Sequence, residues 1–311
     1  MLVTAAAIEA AYDRITPHIR VTPTLQLKAG DLGLPVGASL KLEVLQHSGS
    51  FKARGAFNTL LGNDVPAAGV AAASGGNHGA AVAYAARSLD IPARIFVPAL
   101  STPFKKAKIR SYGAELVIAG ATYAEAHEAC ISYLEQTGAI DIHAYEAPET
   151  VIGQGTLGLE WEAQTRSLDT LLIAVGGGGL ISGIATWFAG KTRVIGVETE
   201  GCQTMTAALA AGAPVDVKVS GAATDSLGVR RTSGLNHAIC ARSVERIVLV
   251  SDEDVIEAQR RLWKGLQLLA EPGGAAALAA LLCGRYVPQR GERVGILLSG
   301  GNADPSLIAT H

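Results

Sequence analysis

The sequence predicts an α/β fold of mostly parallel strands covered by helices. Three observations predict it. Apolar strand-like runs alternate with helical patterns along most of the chain, which is the signature of parallel strands joined by right-handed crossovers. The strands read as continuous apolar runs, as expected where both sheet faces are covered. And 311 residues, 49% hydrophobic and 17% charged, are ample for a sizeable core in one large or two medium domains.

The N-terminal stretch "MLVTAAAIEAAYDRI" has the apolar spacing of an amphipathic helix capped near Thr4. It carries Glu9 and Asp13 and lacks a basic n-region, so it does not read as a signal peptide. "SLKLEVL" (Ser39 to Leu45) is the first clear strand, and a helical stretch starts at about Phe51. "GVAAAS" precedes the helix "HGAAVAYAARSL", "ARIFVPA" precedes "TPFKKAKIRSYG", and "AELVIAG" precedes "TYAEAHEACISYLEQTG". The densest basic run of the chain, "FKKAKIR" (Phe104 to Arg110), is expected to be a solvated helix face. Later strands are "TLLIAVG", "RVIGVE", "RIVLVS" and "RVGILLS". Leu171 to Gly190 is uncharged over a membrane-spanning length, but four consecutive glycines would break a lone helix in lipid. A buried strand, a glycine turn and a helix explain it. No fixed-period repeat or low-complexity linker divides the chain, which leaves either one large sheet or two lobes.

Charge narrows the partners. Lys plus Arg is 26, Asp plus Glu is 28, and the net charge is -2, so nothing favours nucleic acid or an acidic membrane surface. The four cysteines form no C-x-x-C pair, which fits a reducing, cytoplasmic setting. No Cys/His metal set, H-E-x-x-H spacing or G-x-S-x-G elbow appears.

Ligands of doubly wound folds sit at the carboxyl ends of strands. Four turns there are rich in small or polar residues: "ASGGNHG", "VGGGGLISG", "VETEG" and "LLSGGN". Gly176 to Gly179 follow a strand and open a helix, so their backbone N–H groups and the helix dipole suit a phosphate. A dinucleotide fingerprint fails on spacing, because Ile181 or Ser182 falls where the third glycine is needed. In "SGGNHG", free N–H groups and the Ser74 hydroxyl suit a carboxylate, though plain N-capping by Ser74 or Asn77 explains the turn equally well. Lys52, in "HSGSFKARGAF", stands beside Phe51 and just after small residues, a setting that suits close approach to a flat ligand. Together these parts suggest pyridoxal 5'-phosphate.

Six motifs in order carry a resemblance to a known family: "SGSFKARGAFN", "SGGNHG", "GQGTLGLE", "VGGGGLISG", "EPGGAAALA" and "LLSGGN". Over nearly its whole length the chain resembles the serine/threonine dehydratase and serine racemase family of the tryptophan synthase β-like fold. The resemblance implies a large lobe of residues 1–64 and 145–311, with a small lobe of 65–144 that closes over substrate. It implies that Lys52 carries the cofactor as a Schiff base and then acts on the substrate α-proton. Phe51 would pack by the ring, Asn77 would bond its phenolic oxygen, and Gly176, Gly177, Gly178, Gly179 and the Leu180 backbone would hold the phosphate. Ser299 would face the ring nitrogen, while Ser74, Gly75, Asn77 and His78 would receive the substrate. The implied reaction is dehydration and deamination of L-threonine or L-serine to a 2-oxo acid and ammonia, with the cofactor phosphate as a candidate acid. A homodimer is implied as well.

Departures sharpen that expectation. Racemases carry a second serine where this chain has Gly75, so elimination is favoured over racemisation. Glu198 matches the first ligand of a racemase metal site, but Thr204 stands where an aspartate is expected, so no divalent metal is expected, while a monovalent ion bound by carbonyls stays open. Arg230 and Arg231 are either surface residues or a site for a second carboxylate, as in 3-hydroxyaspartate. The chain ends soon after Asn302, so no regulatory domain and a catabolic role are expected. A non-catalytic amino-acid sensor and a nicotinamide oxidoreductase are the readings from other classes.

Overall fold

The computed structural model describes residues 2–304. Helix α1 (Ala5–Ile15) is capped by Thr4, whose hydroxyl accepts from the Ala7 N–H at 3.2 Å. Strands β1 (Thr24–Leu27) and β2 (Ala38–Leu42) lead to α2 (Lys52–Leu61). The chain then runs through β3 (Val70–Ala73), α3 (Asn77–Ser88), β4 (Ala93–Val97), α4 (Pro103–Ser111), β5 (Glu115–Ile118), α5 (Tyr123–Thr137) and β6 (Ile140–Asp141). These four strands form their own parallel sheet, ordered β5-β4-β3-β6.

Helix α6 (Pro148–Gln164) returns the chain to the first sheet through β7 (Thr170–Ala174), α7 (Gly179–Phe188) and β8 (Arg193–Thr199). Helices α8 (Thr204–Ala211), α9 (Thr224–Leu227) and α10 (Gly234–Ser243) precede β9 (Arg246–Val250). Helices α11 (Asp252–Leu266) and α12 (Pro272–Leu282) precede β10 (Val294–Leu298). The resulting six-stranded sheet is ordered β1-β2-β10-β7-β8-β9, and only the β1–β2 pair is antiparallel.

The expected strands all form, and the expectation of mostly parallel sheets holds. Two strands were not foreseen. The β1 strand "TLQL" pairs only at the sheet edge, and β6 has two residues, so neither carries an apolar run. Apolar cores cover both faces of the large sheet: Leu40, Ile195, Val255 and Leu278 belong to one, Trp161, Ile173, Ile181 and Phe188 to the other. A third core, containing Phe57, Val82 and Ile95, packs α2 and α3 on the smaller sheet.

The basic run on α4 corrects an expectation in part, because Arg110 is exposed but two of its lysines are held by other segments. Lys105 Nζ lies 3.1 Å from Asp225 Oδ2, and the Lys108 ammonium donates to the Asn302 side-chain carbonyl. Both partners come from segments distant in sequence, which helical periodicity cannot anticipate.

The β2 sequence hides charge inside an apolar-looking run. Lys41 and Glu43 are fully buried, as are Arg54 of α2 and Glu160 of α6. Arg54 grips Glu43 with two donors, at 2.9 and 2.7 Å, and reaches Glu160 at 3.0 Å. Lys41 Nζ bonds Glu160 at 2.5 Å, the Thr22 carbonyl at 2.7 Å and Gln164 at 2.7 Å. Burial pushes the Glu43 carboxyl up, but the Arg54 guanidinium and the Lys41 ammonium outweigh it and hold the group below the usual carboxylate range. Removing one partner leaves uncompensated buried charge. Glu160→Ala should therefore lose about 3–5 kcal/mol of stability in urea unfolding, and Glu160→Gln, which keeps an acceptor, should lose less. A loss within about 0.5 kcal/mol, the size of a surface change, would show that the lattice does not hold α2 against α6.

Candidate active site

The carboxyl ends of strands from both sheets open on one cavity of about 600 Å³. Every residue singled out for the site lines it: Phe51 and Lys52, the 74–78 turn, Gly176 to Leu180, and Ser299.

Lys52 is the first residue of α2, with Phe51 as its N-cap. The Phe51 N–H donates to the Ser299 carbonyl at 3.1 Å, which ties the start of α2 to the end of β10. Lys52 is half-buried; its Nζ lies 5.1 Å from the Phe51 ring centroid and donates to the Ala144 carbonyl at 2.7 Å. Burial lowers its pKa to about 8, against a smaller upward pull from Glu271. Only the neutral amine attacks a carbonyl, and the lowered pKa leaves about a tenth of it neutral at pH 7, far more than an unshifted lysine would have.

The glycine turn between β7 and α7 is shaped by steric demand. A Cβ on Gly177 would sit 2.4 Å from the Tyr145 ring. Gly178, the N-cap of α7, has φ +92°, a conformation that favours glycine. The Gly177 carbonyl is turned toward Thr232 Oγ1 at 3.0 Å and Asn236 Nδ2 at 2.9 Å. No side chain caps α7, so its leading N–H groups have no side-chain partner at the end carrying the positive dipole.

The second turn behaves similarly. Gly76 is the N-cap of α3 and has no side chain to offer. The Ser74 hydroxyl accepts only a 3.3 Å bond from the Gly76 N–H, so neither Ser74 nor Asn77 caps this helix. His78 is buried, and its Nε2–H donates to the Ile142 carbonyl at 2.5 Å. Burial and the nearby Lys52 depress its pKa to about 3, so the imidazole is neutral and engaged. What His78 offers an anion is its backbone N–H. Gly75 faces Ser101: a Cβ there would lie 2.2 Å from the Ser101 hydroxyl oxygen.

Glu271 and Tyr145 are among the cavity residues that escaped the sequence reading. Glu271, the N-cap of α12, is buried and accepts from the Asn77 amide. Burial raises its pKa, against the Asn77 bond and the charges of Lys105 and Lys108. A signal existed, since Glu271 is the one charge heading the apolar run "EPGGAAALAALL". Tyr145 gave no signal; it becomes a wall of the site only because α6 follows β6 across the cavity. Ser299 is buried at the end of β10, with a long 3.4 Å contact to the Gly273 carbonyl, which leaves its hydroxyl weakly committed. Arg230 and Arg231 stand exposed at the rim, where Arg231 pairs with Asp216 at 3.3 Å. Glu198 accepts the N–H groups of Met205 and Thr206, and burial raises its pKa to about 6.

A parallel α/β fold with a half-buried lysine of lowered pKa in a cavity flanked by uncapped helix N-termini is the setting of an enzyme that binds an anionic ligand beside a nucleophilic amine. The chain belongs to the pyridoxal-phosphate dependent enzyme family, whose match spans residues 15–300. It is 38% identical to a phenylserine dehydratase of Ralstonia pickettii over 313 aligned positions, 98% of this chain and 95% of that one. Among solved structures it resembles a threonine deaminase from T.th., with TM-score 0.91 and 37% identity, covering 97% of this chain and 99% of the other. It also resembles maize serine racemase, with TM-score 0.93 and 30% identity, covering 100% and 97%. The chain is an enzyme of tryptophan synthase β-like fold, and its cofactor is pyridoxal phosphate. The cavity fits that group: the glycine turn opens α7 with no side-chain cap, which leaves backbone N–H groups for an anion, and an amine of lowered pKa faces the same space.

The lowered pKa has a kinetic signature. Apoprotein mixed with pyridoxal phosphate should bind it covalently at a rate that rises with pH and levels near pH 8. An unshifted lysine would keep accelerating toward about pH 10.4. Stopped-flow absorbance distinguishes the two profiles.

Proposed function

We propose that the protein dehydrates and deaminates a small β-hydroxy-α-amino acid, L-threonine above L-serine, to a 2-oxo acid and ammonia. The observation that carries this reading is one cavity holding the Lys52 amine, the uncapped α7 glycine turn and the Ser299 hydroxyl together. In this reading the glycine turn holds the cofactor phosphate, Asn77 its phenolic oxygen, Ser299 its ring nitrogen and Lys52 its aldehyde. When bound, the cofactor supplies a sink for negative charge at the substrate α-carbon. The uncapped start of α3 receives the substrate carboxylate, and the α-hydrogen points to Lys52. Lys52, displaced by the substrate amine, takes that proton on Nζ. The β-hydroxyl would depart as water with the proton that Lys52 took from the α-carbon, and the released enamine takes up water and loses ammonia. Ser299 is neutral, so it does not hold the ring nitrogen protonated as a carboxylate would, and prompt loss of the β-hydroxyl suits that setting.

Two lobes belong to the same reading: residues 65–144 as the smaller, and 1–64 with 145–311 as the larger. Support comes from the separate sheet that β3 to β6 form. Support for threonine over serine comes from Leu227, Val219 and Val229, which give the cavity an apolar wall. A second carboxylate finds no buried cation among Arg230 and Arg231, so 3-hydroxyaspartate is less well served. Racemisation remains the second reading, because the Ser101 hydroxyl occupies the space above Gly75 and has no hydrogen-bond partner among the described residues.

Ammonia release from L-threonine should exceed that from L-serine by about tenfold in kcat/KM, the discrimination one methyl commands in an apolar pocket. Lys52→Ala should abolish turnover and leave no borohydride-fixable cofactor. A preference for phenylserine would move the substrate assignment to aromatic side chains. D-serine formed without ammonia, and lost in Ser101→Ala, would replace elimination by racemisation.

A further inference from the structure

Lys108, Asn302, Asn77 and Glu271 form a continuous line of hydrogen bonds from α4 to the start of α12. The Lys108 ammonium donates to Asn302 Oδ1. Asn302 Nδ2 donates to Asn77 Oδ1 at 2.6 Å and to the Ser48 carbonyl at 2.9 Å. Asn77 Nδ2 donates to Glu271. Asn77, Asn302 and Glu271 come from three separate segments, and Lys108 from a fourth.

The ends of this line fix its direction. An ammonium can only donate, and an ionised carboxylate can only accept. Between them, each amide has one orientation that satisfies every contact. Asn302 must turn its oxygen to Lys108, so its nitrogen faces Asn77. Asn77 must then offer its oxygen to Asn302 and its nitrogen to Glu271. One Asn77 N–H remains without a partner among the described residues, on a side chain that lines the cavity. Chains of this kind polarise one another, and a charge at each end adds to the effect. The Ser48 carbonyl and the Glu271 carboxylate hold the two amides in these orientations, so what Lys108 adds is a full charge at the head of the line that polarises both.

We propose that Lys108 is a positioning residue that acts through Asn302 to polarise the Asn77 amide, whose remaining N–H then donates more strongly to the cofactor oxygen, so that seating α4 tunes the cofactor electronically. This rests on the reading that pyridoxal phosphate occupies the cavity with its phenolic oxygen at Asn77. The charged groups facing Glu271 are Lys105 and Lys108 of α4, Lys52 of α2, and Asp225 of the 219–231 segment. Lys105 is engaged by Asp225, so Lys108 is the cation that joins the amide line.

The test is a spectrophotometric pH titration of the Lys52–cofactor Schiff base in substrate-free holoenzyme, for wild type, Lys108→Met, Asn302→Ala and the double variant. An N–H donated to the phenolic oxygen weakens that oxygen's hold on the imine proton. Lys108→Met should therefore raise the Schiff-base pKa by about one unit, the size of one lost charge-assisted hydrogen bond. Asn302→Ala should raise it similarly although Lys108 keeps its charge, and the double variant should go no further than either single one. Lys108→Arg should restore the wild-type value, and Lys108→Gln replaces Lys108→Met if that variant does not fold. An unchanged titration in Lys108→Met overturns the proposal. So does an unchanged one in Asn302→Ala, which would reduce Lys108 to a through-space charge, and so does a double variant whose shift is the sum of the two. Failure of the underlying reading looks different: borohydride would then fix no cofactor on Lys52 in the wild-type protein.

Discussion

The bidentate grip of Arg54 on Glu43, shared with Glu160 and Lys41, is the constraint on which the site depends. Four buried charges cost several kcal/mol each to desolvate, and only a complete lattice offsets that cost. The lattice therefore forms whole or not at all, and it joins β2, α2 and α6 in one geometry. Arg54 lies half a turn beyond Lys52 on α2, so the reactive amine inherits that fixed placement. An apolar substitute would pack as well, but without directional bonds it would not fix the rotation of α2.

Around that amine, the fold arranges partial charges rather than many ionised groups. Helices α3 and α7 turn N-termini without side-chain caps to the cavity, and α2, α9 and α12, which also start there, lack such caps too, whereas α1, α4, α5, α10 and α11 all have them. A cap would have consumed the donors that an anion needs. Glu271 is the carboxylate on the cavity wall nearest Asn77, and it is bonded there rather than left free to repel an anionic ligand. His78 is held neutral by burial, so it adds no competing cation beside Lys52.

Much of this was legible in the sequence, for identifiable reasons. Continuous apolar runs reveal strands covered on both faces, and the tetraglycine reveals a helix end with no room for side chains. Lys41 and Glu43 were invisible, because an apolar strand with two charges reads the same whether the charges meet partners or water. The lysines of α4 were misjudged on the same ground: the partners of Lys105 and Lys108 lie more than a hundred residues away, in segments that only the tertiary fold brings near. The Gly75–Ser101 pair was out of reach as well, since one position gives up a side chain and another loop fills the space. Local pattern specifies elements and turns; it does not say which loop meets which.

The place of β10 has a consequence for biosynthesis. This strand, near the end of the chain, inserts between β2 and β7, whose residues emerge from the ribosome long before it. The smaller sheet can complete itself while translation continues, but the larger one stays split, with two apolar edges awaiting their middle partner. Ser299 and Gly300, which follow β10 directly, arrive with it. Nascent chains therefore cannot complete the Ser299 side of the cavity early, and chains truncated before residue 294 leave the facing edges of β2 and β7 unpaired.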